Sequence, residues 1–194
     1  MSVVKTNRAI IAVNRFGLGA RDGELAAAQN DPEHWLLQQL VSPVLDKKLG
    51  DTESAFGFIA DVKAFKEQSR QTNMKALKVG GAIINPYRQR LSIDSLEQSV
   101  QTTTPFAIRL LDFFSNHFSV SAATQSLAIL APTLERDAIA PNLFGQFADM
   151  LIAVEQHPAM LIFLNNERSS GPNSPIGKSS RGLNENLARE VLEL

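Results

Sequence analysis

The chain has 194 residues, which is long enough for one domain with a buried core. Its 44% hydrophobic and 20% charged residues are typical of a globular protein, and 19 basic against 20 acidic side chains argue against a general binder of nucleic acid. With no cysteine, disulfides and thiolate sites are excluded. No apolar run approaches the ~20 residues of a membrane span, and the first residues lack the apolar core of a signal peptide, so the cytoplasm is the default expectation.

Helix signals begin at the N-terminus. A first helix is predicted to start near Ser2 and to end at Gly17 and Gly19. In a later helix, Asp31 is the predicted N-cap and Pro32 the first helical residue. The predicted buried face of that helix consists of Trp35, Leu36, Leu37 and Leu40.

The helical pattern continues through the rest of the chain. Over residues 52–78 the spacing puts four apolar residues on one side of a helix, namely Phe56, Ile59, Val62 and Phe65. Further helices are predicted to start at Pro86, Pro105, Pro132 and Pro158. Since period-two alternation is missing over any convincing length, the sequence predicts an all-α fold. We expect an irregular multi-helix bundle with no substantial sheet, in which residues 1–194 are a single domain.

Residues 165–183 form a long stretch rich in Asn, Ser, Gly and Pro, and they are predicted to be a loop. The Gly-Lys-Ser of residues 177–179 is reminiscent of a phosphate-binding loop. Five residues separate Gly171 from Gly177, one more than that motif has, and two of them are prolines without an N–H to hold a phosphate. Nucleotide binding through residues 171–179 is therefore a remote alternative, and no nucleotide cofactor is expected.

Residues 184–194 predict the start of an amphipathic helix whose polar side chains share one arc. The carboxylates of Glu190 and Glu193 lie one turn apart, a spacing that serves a metal ion or an acid/base pair. The alternative is an ordinary helix with a solvated charged face, and spacing alone favours it. The arc contains Glu185, Asn186, Arg189, Glu190 and Glu193.

Three histidines are present, His34, His117 and His157. His117 ends an aromatic helix, where it can ligate a metal, donate to a carboxylate or carry a proton. With Glu190 and Glu193 it forms the candidate set of metal ligands, and a divalent metal is left open as a cofactor. Since no second histidine lies three or four residues from any of the three, a structural role is favoured for each.

Several motifs occur in the order found in one large family of bacterial proteins. They are NRFGLGAR, FFSNHFSVS, AVEQHPAMLIFLNN, GPNS and RGLNENLAREVLEL. From about Asn14 to Leu194 the chain resembles the family known as domain of unknown function 1800. The resemblance implies a predominantly helical bacterial protein, and it brings no established activity.

Members of that family are commonly more than twice as long, and their matching helix continues into a histidine followed by TLG. We therefore expect this chain to be the N-terminal part of a longer member, with the helix of residues 184–194 truncated. The helical pattern, which reaches Leu194 without a stop signal, supports this expectation. Many members carry export signals, so a periplasmic or exported location is the alternative to the cytoplasm.

The resemblance also bears on the site. The recurring polar positions of the family match His117, Asn184, Glu185, Arg189 and Glu190 in this chain. Such positions imply a buried polar network or a functional site more than a solvated face.

Two hypotheses for the function follow, and the sequence leaves open whether the protein is an enzyme. In the first, Glu185 and Glu190 are acid/base or metal-binding groups, Arg189 binds an anion or a carboxylate, and His117 is a ligand or proton carrier. These side chains should then converge on a cleft completed by residues beyond Leu194. In the second, the domain is a non-catalytic module that binds a partner protein or an envelope polymer through an exposed apolar groove.

Overall fold

The all-α prediction is confirmed. A computed structural model describes residues 3–45, 56–57, 59–60, 63–64, 67, 85–179 and 182–193, and no strand occurs among them. Most of the helix predicted over residues 52–78 lies outside these ranges, although each of its described residues is helical. The helices are α1 (Val3–Ile11), α2 (Glu24–Asn30), α3 (Pro32–Leu37), α4 (Asn85–Gln101), α5 (Pro105–His117), α6 (Gln125–Leu134), α7 (Phe147–Gln156), α8 (Pro158–Phe163), α9 (Pro175–Ser179) and α10 (Asn186–Glu193).

Two helices continue beyond their regular part as a wider, π-helical turn. The first turn, Ala12–Phe16, follows α1 and ends at Gly17, where a side chain would lie 2.6 Å from the carbonyl oxygen of Val13. The second, Glu135–Ile139, follows α6 and leads into a last short helical turn, Ala140–Asn142. The prediction that a helix starts at Pro132 is wrong, because this proline lies inside α6.

The N-cap predicted for α3 is confirmed, whereas its buried face is only partly right. The carboxylate of Asp31 accepts a hydrogen bond from the backbone N–H of His34, with a donor–acceptor distance of 3.0 Å. Trp35 packs against the small core formed by α1 and α2, but the side chains of Leu37 and Leu40 are 63% and 45% exposed. The small core is too short to cover the far end of α3, and it consists of Ala9, Val13, Ala28 and the partly buried Leu25 and Trp35.

Hydrogen bonds attach this N-terminal part to the rest of the molecule. The guanidinium of Arg109 in α5 donates to the carbonyl of Gly17 at 2.8 Å. The amide oxygen of the buried Gln39 accepts from the backbone N–H of Phe106 at the start of α5, also at 2.8 Å. These contacts satisfy backbone groups at two helix ends. One is the C-terminal end of the first π-helical turn, and the other is the first turn of α5.

The main core lies between α5, α6, α7 and α8. Its largest fully buried side chains include Ile129, Leu130, Ile139, Met150 and Val154. Leu187 of α10 packs against the edge of this core, so the last helix is held on the side where α7 and α8 meet.

A charged cluster is buried beside the main core. The Arg136 side chain is 6% exposed, and its Nε and Nη2 atoms donate to the two carboxylate oxygens of Asp137 at 2.6 and 2.7 Å. His157 Nε2 lies 3.8 Å from Asp137, while His157 Nδ1 accepts from the N–H of Ala159 and so caps α8. Burial lowers the pKa of His157, and the Asp137 carboxylate opposes this effect. The cluster thereby links the second π-helical turn to the corner between α7 and α8.

We expect the substitution Asp137→Ala to destabilise the protein by about 3 kcal/mol, because it leaves the buried Arg136 guanidinium without its carboxylate. Urea denaturation gives the free energy of unfolding. The matched control is Asp94→Ala, which removes the ion pair with Arg90, a side chain that is 57% exposed, and should cost about 0.5 kcal/mol or less. Equal losses in the two variants would contradict a structural role for the buried pair.

Candidate functional site

A small cavity of about 80 Å³ brings together ionisable side chains from three helices. We call it the carboxylate pocket. His117 comes from the end of α5, Glu155 from the last turn of α7, and Glu190 from α10. Its remaining walls are Phe118, Ser119, Met160, Phe163 and Leu164.

Asn184 positions α10 over this pocket. Its side-chain amide donates to the carbonyl of Leu164 at the end of α8, at 2.9 Å, and its backbone N–H donates to the hydroxyl of Ser169 at 3.0 Å. Its side-chain oxygen accepts from the N–H of Asn186, the first residue of α10. One asparagine therefore caps the helix and fixes its start against α8, which explains a polar residue at this position.

Glu155 is the most unusual group of the pocket. Its Oε2 atom is buried and makes no hydrogen bond to the described residues. Burial raises the pKa of Glu155, and the negative charge of Glu190 raises it further. Glu155 therefore holds its proton to a higher pH than an ordinary glutamate does.

Glu190 is more exposed and has a cationic neighbour. Its carboxylate lies 3.6 Å from the guanidinium of Arg189, whose Nη2 atom also donates to the side chain of Asn186 at 2.6 Å. Since 46% of the Glu190 side chain is exposed, its carboxylate contacts water as well as Arg189. The pocket thus combines a carboxyl with a buried oxygen and a raised pKa, Glu155, with a more exposed carboxyl beside a cation, Glu190.

The ring of His117 lies at the solvent-exposed end of an aromatic cluster. It stacks parallel to Phe113, with ring centroids 6.4 Å apart, and meets Phe118 edge-on at 4.7 Å. Phe147 of α7 lies 6.2 Å away. The side chain of His117 is exposed and also lines the pocket, so it contacts both water and the interior.

The structure brings together only some of the residues that the sequence singled out. His117 and Glu190 share the carboxylate pocket, but Glu185, Arg189 and Glu193 do not line it. Glu185 is exposed and Arg189 lies on the outer face of α10. Leu192, an apolar residue of the same helix, is 87% exposed.

Glu155 was missed in the sequence, although one signal was present. It is a lone acid within the apolar stretch MLIAV-E-Q that ends α7. An acid at such a position is either turned to solvent or buried, and periodicity alone does not distinguish the two.

The candidate metal ligands His117, Glu190 and Glu193 are not gathered around one point. The side chain of Glu193 is 65% exposed and lies 4.0 Å from Arg189. Within the described ranges, no group of three or more histidine, aspartate and glutamate side chains is arranged to hold a metal ion.

The segment of residues 165–183 contains more structure than the predicted loop. A 3-10 turn covers Asn166–Arg168, and the Gly-Lys-Ser lies within α9. The hydroxyl of Ser174 accepts from the N–H of Gly177 at 3.0 Å, and the Ser174 carbonyl accepts from the N–H of Lys178. These two N–H groups are therefore engaged within the chain itself, unlike the free N–H groups of a phosphate-binding loop.

A family model described as "Protein of unknown function (DUF1800)" matches residues 11–194. The chain belongs to the DUF1800 family. No curated protein and no solved structure is significantly similar to it. The motif-based resemblance is thus confirmed, and the function of the family remains unknown. Among the described helices of this DUF1800 chain, none is both long and apolar enough to cross a membrane.

The pKa of Glu155 gives a testable pH dependence. Because the folded protein raises this pKa above its ordinary value of 4.5, the folded state binds more protons than the unfolded chain above about pH 4.5. The stability contributed by Glu155 is then lost as the pH rises through the raised pKa. We expect Glu155→Gln to reduce the fall in unfolding free energy between about pH 5 and about pH 8 in urea denaturation.

Glu193→Gln is the matched control, since it alters an exposed carboxylate on α10. It should leave the pH dependence of the unfolding free energy as it is in the parent chain. Identical pH dependence in the parent and in Glu155→Gln would contradict the burial of a protonated Glu155.

Proposed function

We propose that this DUF1800 chain carries the acid/base site of an enzyme. Glu155 is the proton donor, Glu190 the proton acceptor, and His117 carries protons between the carboxylate pocket and water. The observation behind the proposal is the convergence of these three groups on one cavity, where a carboxyl oxygen of Glu155 has no described hydrogen-bond partner.

Two carboxyl groups in different surroundings can act as the general acid and the general base of one reaction. The proton of Glu155 can pass to a substrate oxygen or nitrogen as a bond to that atom breaks. The ionised Glu190 can accept a proton from water or from a substrate group on the other side. Glu155 thus loses one proton and Glu190 gains one. Transfer of a proton from Glu190 to Glu155 through His117 restores the starting state.

Two polar residues with a structural role, Asp137 and Asn184, look different. Asp137 has hydrogen bonds from Arg136 to both carboxylate oxygens, and the Asn184 side chain both donates and accepts. Glu155 has no comparable partner at Oε2. A buried polar atom without a hydrogen bond costs stability. Binding of a ligand or transfer of a proton therefore explains the position of Glu155 Oε2 better than a structural role does.

The alternative is a non-catalytic module that binds a partner protein or an envelope polymer. It predicts an exposed apolar groove and no gathering of ionisable groups. The convergence of His117, Glu155 and Glu190 favours the acid/base site.

The first test follows the ionisation of the carboxyl groups by NMR in protein with ¹³C-labelled glutamate. We expect one glutamate to titrate above the ordinary range, and its signal to disappear in Glu155→Gln. In Glu190→Gln its pKa should fall, because the repelling negative charge is gone. A Glu155 that titrates in the ordinary range would contradict the proposal.

The second test measures turnover of a panel of chromogenic esters, glycosides and phosphates. For a substrate that is turned over, Glu155→Gln and Glu190→Gln should each lower the rate by about 100-fold or more, and Glu193→Gln should not.

A separate titration with Mn²⁺ or Zn²⁺ checks the metal-assisted alternative. Tight binding that is lost in Glu190→Gln would replace the acid/base proposal with a metal site.

A further inference from the structure

A larger cleft lies between α4 and α6, and the proposed function makes no use of it. Its main chamber has a volume of about 600 Å³, well within the usual range of small-molecule sites. Leu96 of α4, which is 67% exposed, leaves apolar surface open along this chamber. The other apolar walls include Leu91, Val120, Ala128, Ala131 and Ile139.

A second chamber of about 270 Å³ adjoins the first. Both chambers are lined by Leu91, Ser95, Pro132 and Glu135, so we treat them as one α4–α6 cleft. The second chamber has a polar wall from the C-terminal half of α4, which includes Asp94, Glu97, Gln98 and Gln101. The cleft is therefore amphipathic, with an apolar end and a polar end.

Glu135 lies where the two chambers meet. It is the first residue of the second π-helical turn, and it is partly buried. Burial raises the pKa of Glu135, the polar side chain of Ser115 opposes this effect, and the negative charge of Asp112 raises the pKa further. The charged neighbour that acts on Glu135 is thus another acid.

The charges of the polar chamber leave an excess of acid. Its carboxylates are Asp94, Glu97 and Glu135, and its cations are Arg90 and Arg136. Arg90 forms an ion pair with Asp94 at 2.9 Å. Arg136 forms one at 2.6 Å with Asp137, which does not line the chamber. Arg88, the further cation of the cleft, lines only the apolar chamber.

We propose that the α4–α6 cleft binds an amphipathic organic cation, an amine whose apolar body fills the 600 Å³ chamber and whose ammonium group contacts Glu135. An ammonium at this point donates a charge-assisted hydrogen bond to the carboxylate of Glu135 and offsets the repulsion between Glu135 and Asp112. An anionic amphiphile whose charged group lies at the same point is repelled by Glu135, and a neutral one gains the apolar contacts alone. Charge complementarity thus selects the cation.

This site is separate from the carboxylate pocket. The two cavities share Phe118 and Ser119 in their walls, but Glu135 lines only the cleft, and Glu155 and Glu190 line only the pocket. Cation binding in the α4–α6 cleft can therefore be tested independently of the acid/base function.

Isothermal titration calorimetry of the full chain with three probes of nearly equal shape tests the proposal. Tryptamine is the cation, indole-3-propionate the anion and 3-ethylindole the neutral compound. We expect tryptamine to bind about tenfold or more tightly than the other two. Equal affinities, or tighter binding of the anion, would overturn the proposal.

Two variants locate the site. Glu135→Gln should weaken tryptamine binding about tenfold and abolish the preference over 3-ethylindole, whereas Ala131→Phe should weaken all three probes by filling the apolar chamber. Glu193→Gln should bind as the parent does. Circular dichroism verifies that each variant is folded. Tryptamine binding that survives both Glu135→Gln and Ala131→Phe would place the cation elsewhere and refute the assignment.

Discussion

The positions of both candidate acids depend on one buried ion pair. A guanidinium that is 6% exposed requires a carboxylate, and Asp137 supplies it from the adjacent residue. Because Asp137 also faces His157, the pair fixes the second π-helical turn against the corner between α7 and α8. Glu135 directly precedes this pair, and Glu155 lies two residues before His157. This cluster thus fixes the backbone next to both Glu135 and Glu155, and so the position of each acid at its own cavity.

Short-range features of this fold were predictable from sequence. The Asp31 cap and the helix starts at Pro105 and Pro158 are confirmed because each depends on the conformation of a few neighbouring residues. The start predicted at Pro132 is wrong because short-range signals do not include the packing around a helix. Proline is also tolerated inside a helix when the surrounding packing compensates for its missing hydrogen bond, and six of the ten residues of α6 are buried.

The candidate site was predictable only in part. His117 and Glu190 were found through motifs, but periodicity says nothing about residues 73 positions apart, and they meet because Asn184 holds α10 on α8. Glu155 and Glu135 were missed because burial of an acid is a tertiary property. Leu37 and Leu192 show the converse, since an apolar residue at the right helical position stays exposed where no second element covers it.

The two acids have one physical property in common, which separates them from Asp137 and Asn184. Asp137 and Asn184 are satisfied by neighbouring groups, whereas the surroundings of Glu135 and Glu155 disfavour the charged form of the carboxyl group. In each case burial is the largest cause and a second acid adds to it. A positive charge relieves this cost, and a cavity beside each acid gives it access. The small pocket admits a proton or a small reacting group, while the long amphipathic cleft has room for a cation with an apolar body. The same electrostatic condition is therefore compatible with both of the roles that we propose, and the size of the adjoining cavity distinguishes them.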